Sequence, residues 1–173
     1  MANYAYLTGS DGGAFTVEGV PLLEAVYCVP AFWLTLFDES CLRTFHDEDG
    51  DIPYLASDLK NARLRSQSAL RRFRETFRES YGYCDRWSLW LSELSCVWVQ
   101  ADISEVVSMN DDLHVVKPAL RFLENQSNEN MTAYLSLTGL SDKLDGSILV
   151  ECESAFSTYT TFDRLAGLPC HAV

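Results

Sequence analysis

The side chains that could do chemistry concentrate in an acidic run at 46–51 and in a pair of carboxylates further along the chain. The run reads HDEDGD and holds four acids in six residues. An EF-hand loop needs Gly at its sixth position and Glu at its twelfth, whereas counting from Asp47 places Ile52 and Asp58 there. We therefore interpret the run as a solvated loop, with contact to a cation or a partner as the functional alternative.

The carboxylate pair, Asp102 and Glu105, could support general acid–base chemistry, in which one group donates a proton that the other removes. With 25 acidic residues in the chain, however, such pairs arise by chance. The sequence has no nucleophile elbow, and the glycines within 9–13 lack the lysine and the spacing of a phosphate-binding loop. We predict that the protein is not an enzyme, and we keep a small soluble enzyme with a carboxylate site near Asp102 and Glu105 as the alternative.

The six cysteines and three histidines do not follow the spacing of a metal site, because no C-x-x-C pair occurs and the histidines do not stand at a zinc-like spacing from the cysteines. Most of the cysteines lie in apolar runs, where Cys behaves as a small core residue. The sequence therefore predicts reduced, structural thiols, no metal site and no cofactor. The first residues lack the basic and apolar regions of a secretion signal, so a cytoplasmic location is expected.

The charge is distributed unevenly along the chain, whose net charge is −12. Between Asp58 and Arg86 there are eight basic and four acidic residues, whereas the remainder has five basic and 21 acidic residues. An acidic exterior repels nucleic acid and anionic membranes and attracts cationic partners. We therefore predict a basic protein partner and expect neither nucleic acid nor membrane binding.

The basic segment reads as one long amphipathic helix near 57–81. Ser57 is predicted to cap its first turn, and no Gly or Pro interrupts it before Gly82. Its apolar stripe, repeating at steps of three and four, comprises Leu59, Ala62, Ser66, Leu70, Phe73, Phe77 and Tyr81. Two flanks of this stripe are basic, one with Lys60, Arg63, Arg71, Arg74 and Arg78, the other with Arg65 and Arg72. We favour internal pairing of these arginines with carboxylates over an electropositive groove.

The remaining pattern predicts a single α+β domain over 1–173, with a small sheet packed against several helices. Predicted strands cover 2–7, 96–102 and 147–153, with a possible partner at 156–162, while 22–27 fits either a strand or a helix. Predicted helices begin at Pro30, extended by 41–45, and cover 83–94, 104–109, 113–125 and 131–140. The tail from Leu165 is expected to be irregular, and the four tryptophans are expected to lie mainly in the core.

Three short segments carry a resemblance to a known class of proteins. MANYAYL at 1–7, VPAFW at 29–33 and WVQADISE at 98–105, leading to Met109, resemble small acidic immunity proteins of bacterial polymorphic-toxin systems. The resemblance implies a mixed α/β protein that binds a cognate toxin and neutralises it by occlusion. Independently of the resemblance, an acidic protein gains association rate and specificity toward a basic partner.

The predicted function is therefore that of an immunity or inhibitor protein that masks the active surface of a toxin. Acids in predicted loops are the candidate partner-binding residues, because charges in loops are solvated and free to face a partner. These residues are Asp47, Glu48, Asp49, Asp51, Asp111 and Asp112. An adaptor module that uses the basic helix is a third hypothesis.

Overall fold

The computed structural model describes residues 3–13, 19–47, 50–109, 113–140 and 161–170. The strands are β1 (Tyr4–Ser10), β2 (Val20–Val26), β3 (Leu42–Asp47), β4 (Gly50–Asp58), β5 (Trp98–Asp102) and β6 (Leu168–Pro169). The helices are α1 (Leu59–Thr76), α2 (Tyr81–Glu93), α3 (Ser104–Met109), α4 (Leu113–Arg121), α5 (Asn128–Thr138) and α6 (Thr161–Ala166). Within the described ranges the strands form one antiparallel sheet in the order β3-β4-β5-β1-β2-β6. The predicted α+β fold class is confirmed.

One face of this sheet forms one side of the hydrophobic core. Side chains alternate between the two faces of a strand, and Ala5, Leu7, Val99 and Ala101 on the core face are fully buried. Leu7 lies opposite Ala101 on β5, and Leu55 of β4 lies opposite Ala101 from the other side. These residues share a single core with the apolar stripe of α1 and with buried residues of α2, α4 and α5.

The long basic helix is shorter than predicted at both ends. Asp58 caps α1 by accepting a hydrogen bond from the Asn61 N–H at 2.9 Å, whereas Ser57 belongs to β4. The helix stops at Phe77, whose backbone turns away at φ −120° and ψ 79°. Gly82, the predicted stop signal, lies in the first turn of α2. The break at Phe77 lets the chain change direction so that α2 packs against α1. Local helix propensity does not predict this packing.

The predicted apolar stripe of α1 is confirmed up to the break. Leu70, Phe73 and Phe77 are buried, and the rings of Phe73 and Phe77 lie 4.6 Å apart. Tyr81, the last predicted member, is exposed because it begins α2 rather than ending α1. Periodicity therefore identified the buried face but not the point where it ends.

The helix predicted from Pro30 is wrong. The chain forms only a 3-10 turn at Trp33–Thr35 and another at Glu39–Cys41, and the predicted extension at 41–45 is mostly strand β3. The turn passes through the core, where Trp33 is fully buried and its indole N–H donates to the carbonyl of Ala166 at 2.7 Å. Apolar residues at helical spacing here reflect burial on all sides rather than one helical face.

Other predictions have mixed outcomes. The strand ending at Asp102 is confirmed as β5, the segment 22–27, which fitted either a strand or a helix, lies mostly in strand β2, and α3, α4 and α5 lie close to their predicted positions. The tail is more regular than expected, since α6 and β6 cover most of 161–169. The predicted strand at 147–153 lies outside the described residues. Among those that are described, no helix is long and apolar enough to cross a membrane.

Candidate functional site at the acidic end of the sheet

The described residues of the acidic run belong to two paired strands, β3 and β4. His46 pairs with Asp51 and Asp47 pairs with Gly50, so residues 48–49 connect β3 to β4. The strand pairing continues through Phe45 opposite Ile52, a cross-strand apolar pair of the kind that stabilises a ribbon. The loop interpretation is therefore wrong for Asp47 and Asp51, which lie within strands. Glu48 and Asp49 lie outside the described residues.

This hairpin projects from the sheet. β4 pairs with β5 from Tyr54, opposite Asp102, to Asp58, opposite Trp98. In the described register, residues 50–53 pair with β3 alone, so the ribbon runs four residues beyond β5. At about 3.3 Å per residue this is about 13 Å. The tip therefore extends from the end of the sheet at which Asp102 lies.

Asp102 and Glu105 both lie at this end, where each accepts hydrogen bonds that hold the fold together. Asp102 accepts from the backbone N–H of Ser104 at 3.0 Å and from its hydroxyl at 2.7 Å, which satisfies a donor at the start of α3. Glu105 accepts from the backbone N–H of Tyr4 at 2.8 Å and so ties α3 to β1. The two predicted carboxylates thus lie at the same end of the sheet, and each is engaged with a different partner.

A polar and aromatic row crosses the sheet through Asp102. Strand pairing aligns Arg43, Tyr54, Asp102, Tyr6 and Glu24 on five successive strands, on the face opposite the core. Burial, then the charges of Glu24 and Glu105, raise the pKa of the Tyr6 hydroxyl. The phenol therefore stays protonated and can donate a hydrogen bond. We call the described hairpin residues at 46–47 and 50–51, together with Glu24, Asp102 and Glu105, the acidic end.

Tyr4 continues the aromatic surface beside this row. Its ring stacks on that of Tyr6, with centroids 5.9 Å apart and an interplanar angle of 13°. Tyr4 remains 36% exposed. Neither Tyr6 nor Glu24 was predicted as a site residue. The alternation of Tyr4 and Tyr6 with buried Ala5 and Leu7 was visible, but only the strand register places these rings beside acids.

One flank of α1 faces α2, where its arginines have partners. Arg63 donates to the carbonyls of Leu91 at 3.1 Å, Ser92 at 3.2 Å and Leu94 at 2.7 Å, and thereby satisfies the end of α2. Arg74 pairs with Asp85 of α2, and its guanidinium lies over the Tyr81 ring. The predicted pairing with a carboxylate is therefore confirmed for Arg74, whereas Arg63 is engaged within the fold by backbone carbonyls instead.

The opposite flank of α1 is used in the same way. Arg65 pairs with Asp38 and donates to the Ser57 hydroxyl at 2.8 Å, while Arg72 donates to the carbonyl of Leu123 at 3.1 Å. Burial opposes ionisation of Asp38, but hydrogen bonds from Ser40 and Arg65 outweigh it and lower the pKa of that carboxyl. Arginines on both flanks therefore serve the interior contacts of the fold.

The described cysteines offer no activated nucleophile among Cys41, Cys84, Cys96 and Cys170. These four are free thiols, as predicted, and burial raises the pKa of each, so the reactive thiolate is scarce at neutral pH. Cys152 lies outside the described ranges. Within those ranges, no three His, Cys, Asp or Glu side chains cluster as a metal site would require.

Two of the predicted partner-binding acids, Asp111 and Asp112, lie outside the described residues, between α3 and α4. Comparison of the chain with protein-family models, with curated proteins and with solved structures gave no match. The function therefore has to be argued from the geometry of the acidic end itself.

Proposed function

We propose that this chain is an immunity or inhibitor protein that binds a basic toxin or effector and masks its active surface. The observation that carries the proposal is the projecting hairpin, whose backbone at Asp47 and Asp51 lies beyond the end of β5 at which Asp102 lies. A projecting ribbon can enter a concave surface of a partner. Its acids would steer association with a cationic one.

The tyrosines beside the hairpin support the proposal. Interface binding energy is concentrated in a few aromatic and arginine residues, and Tyr4 offers a partly exposed ring next to carboxylates. An arginine or lysine of the partner could contact such a ring through its cationic group and a carboxylate at the same time. Glu24 and Glu105, which flank Tyr6, supply that second contact.

The engagement of the arginines on α1 also favours a cationic partner. Because Arg63, Arg65, Arg72 and Arg74 are held by carbonyls and carboxylates of the fold, their charge is partly compensated inside the molecule. The chain as a whole keeps a net charge of −12. Its long-range field is therefore expected to attract basic proteins.

The enzymatic alternative at Asp102 and Glu105 receives less support. Both carboxylates accept hydrogen bonds that organise α3 and β1. A general base must instead be within hydrogen-bond reach of a substrate proton. Their present contacts favour a structural and surface role over proton transfer.

The test begins with capture of a partner from the source cell by the tagged protein, followed by stopped-flow association at two salt concentrations. Neutralising the hairpin acids with Asp47→Asn, Glu48→Gln, Asp49→Asn and Asp51→Asn should slow association by about an order of magnitude at low salt. The difference should fade at high salt, because salt screens exposed charges. Coexpression should also relieve the partner's toxicity.

A control neutralises exposed acids away from the hairpin, and its effect is compared per charge removed. Glu75→Gln, Glu124→Gln and Glu129→Gln neutralise three exposed acids on helices or helix ends. This variant should slow association far less than the hairpin variant. An acidic captured partner, or association that ignores both salt and the hairpin substitutions, would contradict the proposal.

A further inference from the structure

A cleft of about 480 Å³ lies at the end of the sheet opposite the acidic end. β1 contributes Gly9 and Ser10, where Ser10 pairs with Trp98, and β2 contributes Val20 and Leu22. The connection from α2 to β5 forms the remaining described wall. The cleft thus lies where one hairpin and one helix end meet.

The inner wall of the cleft is apolar and closely packed around Gly9. A Cβ atom at this position would lie 3.0 Å from the Cys96 sulfur and 3.3 Å from a Leu22 methyl. Leu22 and Cys96 are only partly exposed, and Val20 beside them is 66% exposed. Together with Leu94, these side chains offer an aliphatic surface that a ligand of similar character can cover.

The charged groups on the cleft are two carboxylates from different elements. Asp11 follows β1 and its Oδ1 accepts from the Val97 N–H at 3.0 Å, which fixes its position, while Glu93 ends α2. Both residues are exposed. The described lining residues include no lysine or arginine. The cleft therefore combines an aliphatic wall with a negative rim.

Two further groups near the cleft bear on its charge. Arg63, which donates to the carbonyls of Leu91 and Leu94, brings one positive charge close to the α2 end of the cleft but is not part of the described lining. Burial, and after it the charge of Asp11, raise the pKa of the Cys96 thiol, which therefore remains neutral at physiological pH. The two carboxylates are then the anionic groups that the described lining presents.

We propose that this cleft binds an alkylammonium or alkylguanidinium group. The aliphatic stem would lie on Val20, Leu22 and Leu94, and the cationic head would bind between Asp11 and Glu93. Lysine and arginine combine these two characters, and so do small aliphatic amines. The site lies away from the acidic end, so it stands whether or not the chain inhibits a toxin.

The test follows backbone amide resonances of the full chain during titration with agmatine, a guanidinium on a four-carbon amine. Resonances of Gly9, Gly12, Ser95 and Cys96 should shift together in a saturable way. Asp11→Asn with Glu93→Gln should weaken this binding by about tenfold. Asn can still accept the Val97 N–H, so the variant removes charge while keeping the loop contact.

Titrations with other probes distinguish a protein side chain from a free amine as the ligand and exclude non-specific binding. N-acetylarginine amide imitates a protein side chain, so tighter binding of this probe than of agmatine would identify a partner residue as the ligand. The reverse order would identify a free amine. 1-Pentanol, which has the stem without the charge, should not saturate the cleft, and Glu75→Gln should leave agmatine binding unchanged. Absent shifts at the cleft, equal binding of pentanol, or full binding by the double variant would overturn the proposal.

Discussion

The basic helix α1 and the acidic β3–β4 hairpin hold their charges in different surroundings. α1 has packed elements on both flanks, and four of its arginines reach carbonyls or carboxylates of those elements. The hairpin runs beyond β5, and residues 50–53 pair with β3 alone within the described register. Four basic side chains of α1 are thus engaged within the fold, whereas the strand at 50–53 has only β3 as its described strand partner.

The difference between α1 and the hairpin follows from the kinds of side chain they carry. Arginine carries a long aliphatic stem and five N–H donors, so it can lie along a packed helix and still reach carbonyls on the next element. The backbone at Asp47 and Asp51, by contrast, lies beyond the end of β5. The two regions should consequently respond to substitution in opposite ways, one through stability and the other through binding.

The largest expected effect tests whether α1 is anchored by its apolar stripe. Phe73 is fully buried, with its ring centroid 5.4 Å from that of Phe32. Phe73→Ala should lower the free energy of unfolding by about 3–5 kcal/mol in a urea melt, because it removes buried contacts and leaves a cavity. Leu64→Ala, on the 56% exposed side of the same helix, is the control and should cost less than about 1 kcal/mol. Similar costs for both would show that the stripe is not the anchor.

The next effect tests whether the arginines of α1 serve the interior. Arg63→Met keeps the aliphatic stem but removes three hydrogen bonds to the end of α2. We expect a loss of about 1–3 kcal/mol in the free energy of unfolding. Lys60→Met, on the same flank but exposed, should change it by less than about 0.5 kcal/mol. Equal losses of unfolding free energy in the two variants would mean that the hydrogen bonds of Arg63 do not stabilise the fold. The basic helix would then not differ from the hairpin in this respect.

A smaller effect tests the acid that joins the two regions. Asp58 ends β4 and caps α1, so Asp58→Ala should cost about 1 kcal/mol, whereas Asp58→Asn should preserve the cap. The hydrogen bond from the Asn61 backbone N–H lowers the pKa of Asp58 in the folded state. Its charge-dependent stabilisation is therefore full above the unfolded pKa of about 4 and is lost as the pH falls through the folded pKa. Urea melts from pH 6 downward should show this loss in the native chain and a weaker one in Asp58→Asn.

The smallest effect on stability is expected at the hairpin tip. Neutralising Asp47, Glu48, Asp49 and Asp51 together should change the free energy of unfolding by less than about 1 kcal/mol. Thermal and urea melts of the variant used in the association experiment would measure this. A larger loss would mean that these acids hold the fold together, and slower association could then no longer be assigned to steering.

Local pattern was sufficient for several elements. The stripe through Leu59, Leu70 and Phe73 and the β-branched, aromatic run that forms β5 were predicted correctly, as was the α+β class. In these segments buried and exposed positions alternate with the period of the helix or strand. The pattern of apolar residues along the chain therefore shows which face is buried. The candidate acids Asp102 and Glu105 were also recognised, although their hydrogen-bond partners were not.

The sequence by itself determined which faces are apolar, where charge accumulates and that helices and strands mix in one fold. Only the tertiary structure decided that the acidic run is a projecting ribbon, that Asp58 rather than Ser57 caps α1, and that Tyr6 lies between Glu24 and Asp102. These features depend on strand register and on contacts between residues far apart in the chain. Their energies come from pairing and packing with distant partners, which no local spacing encodes.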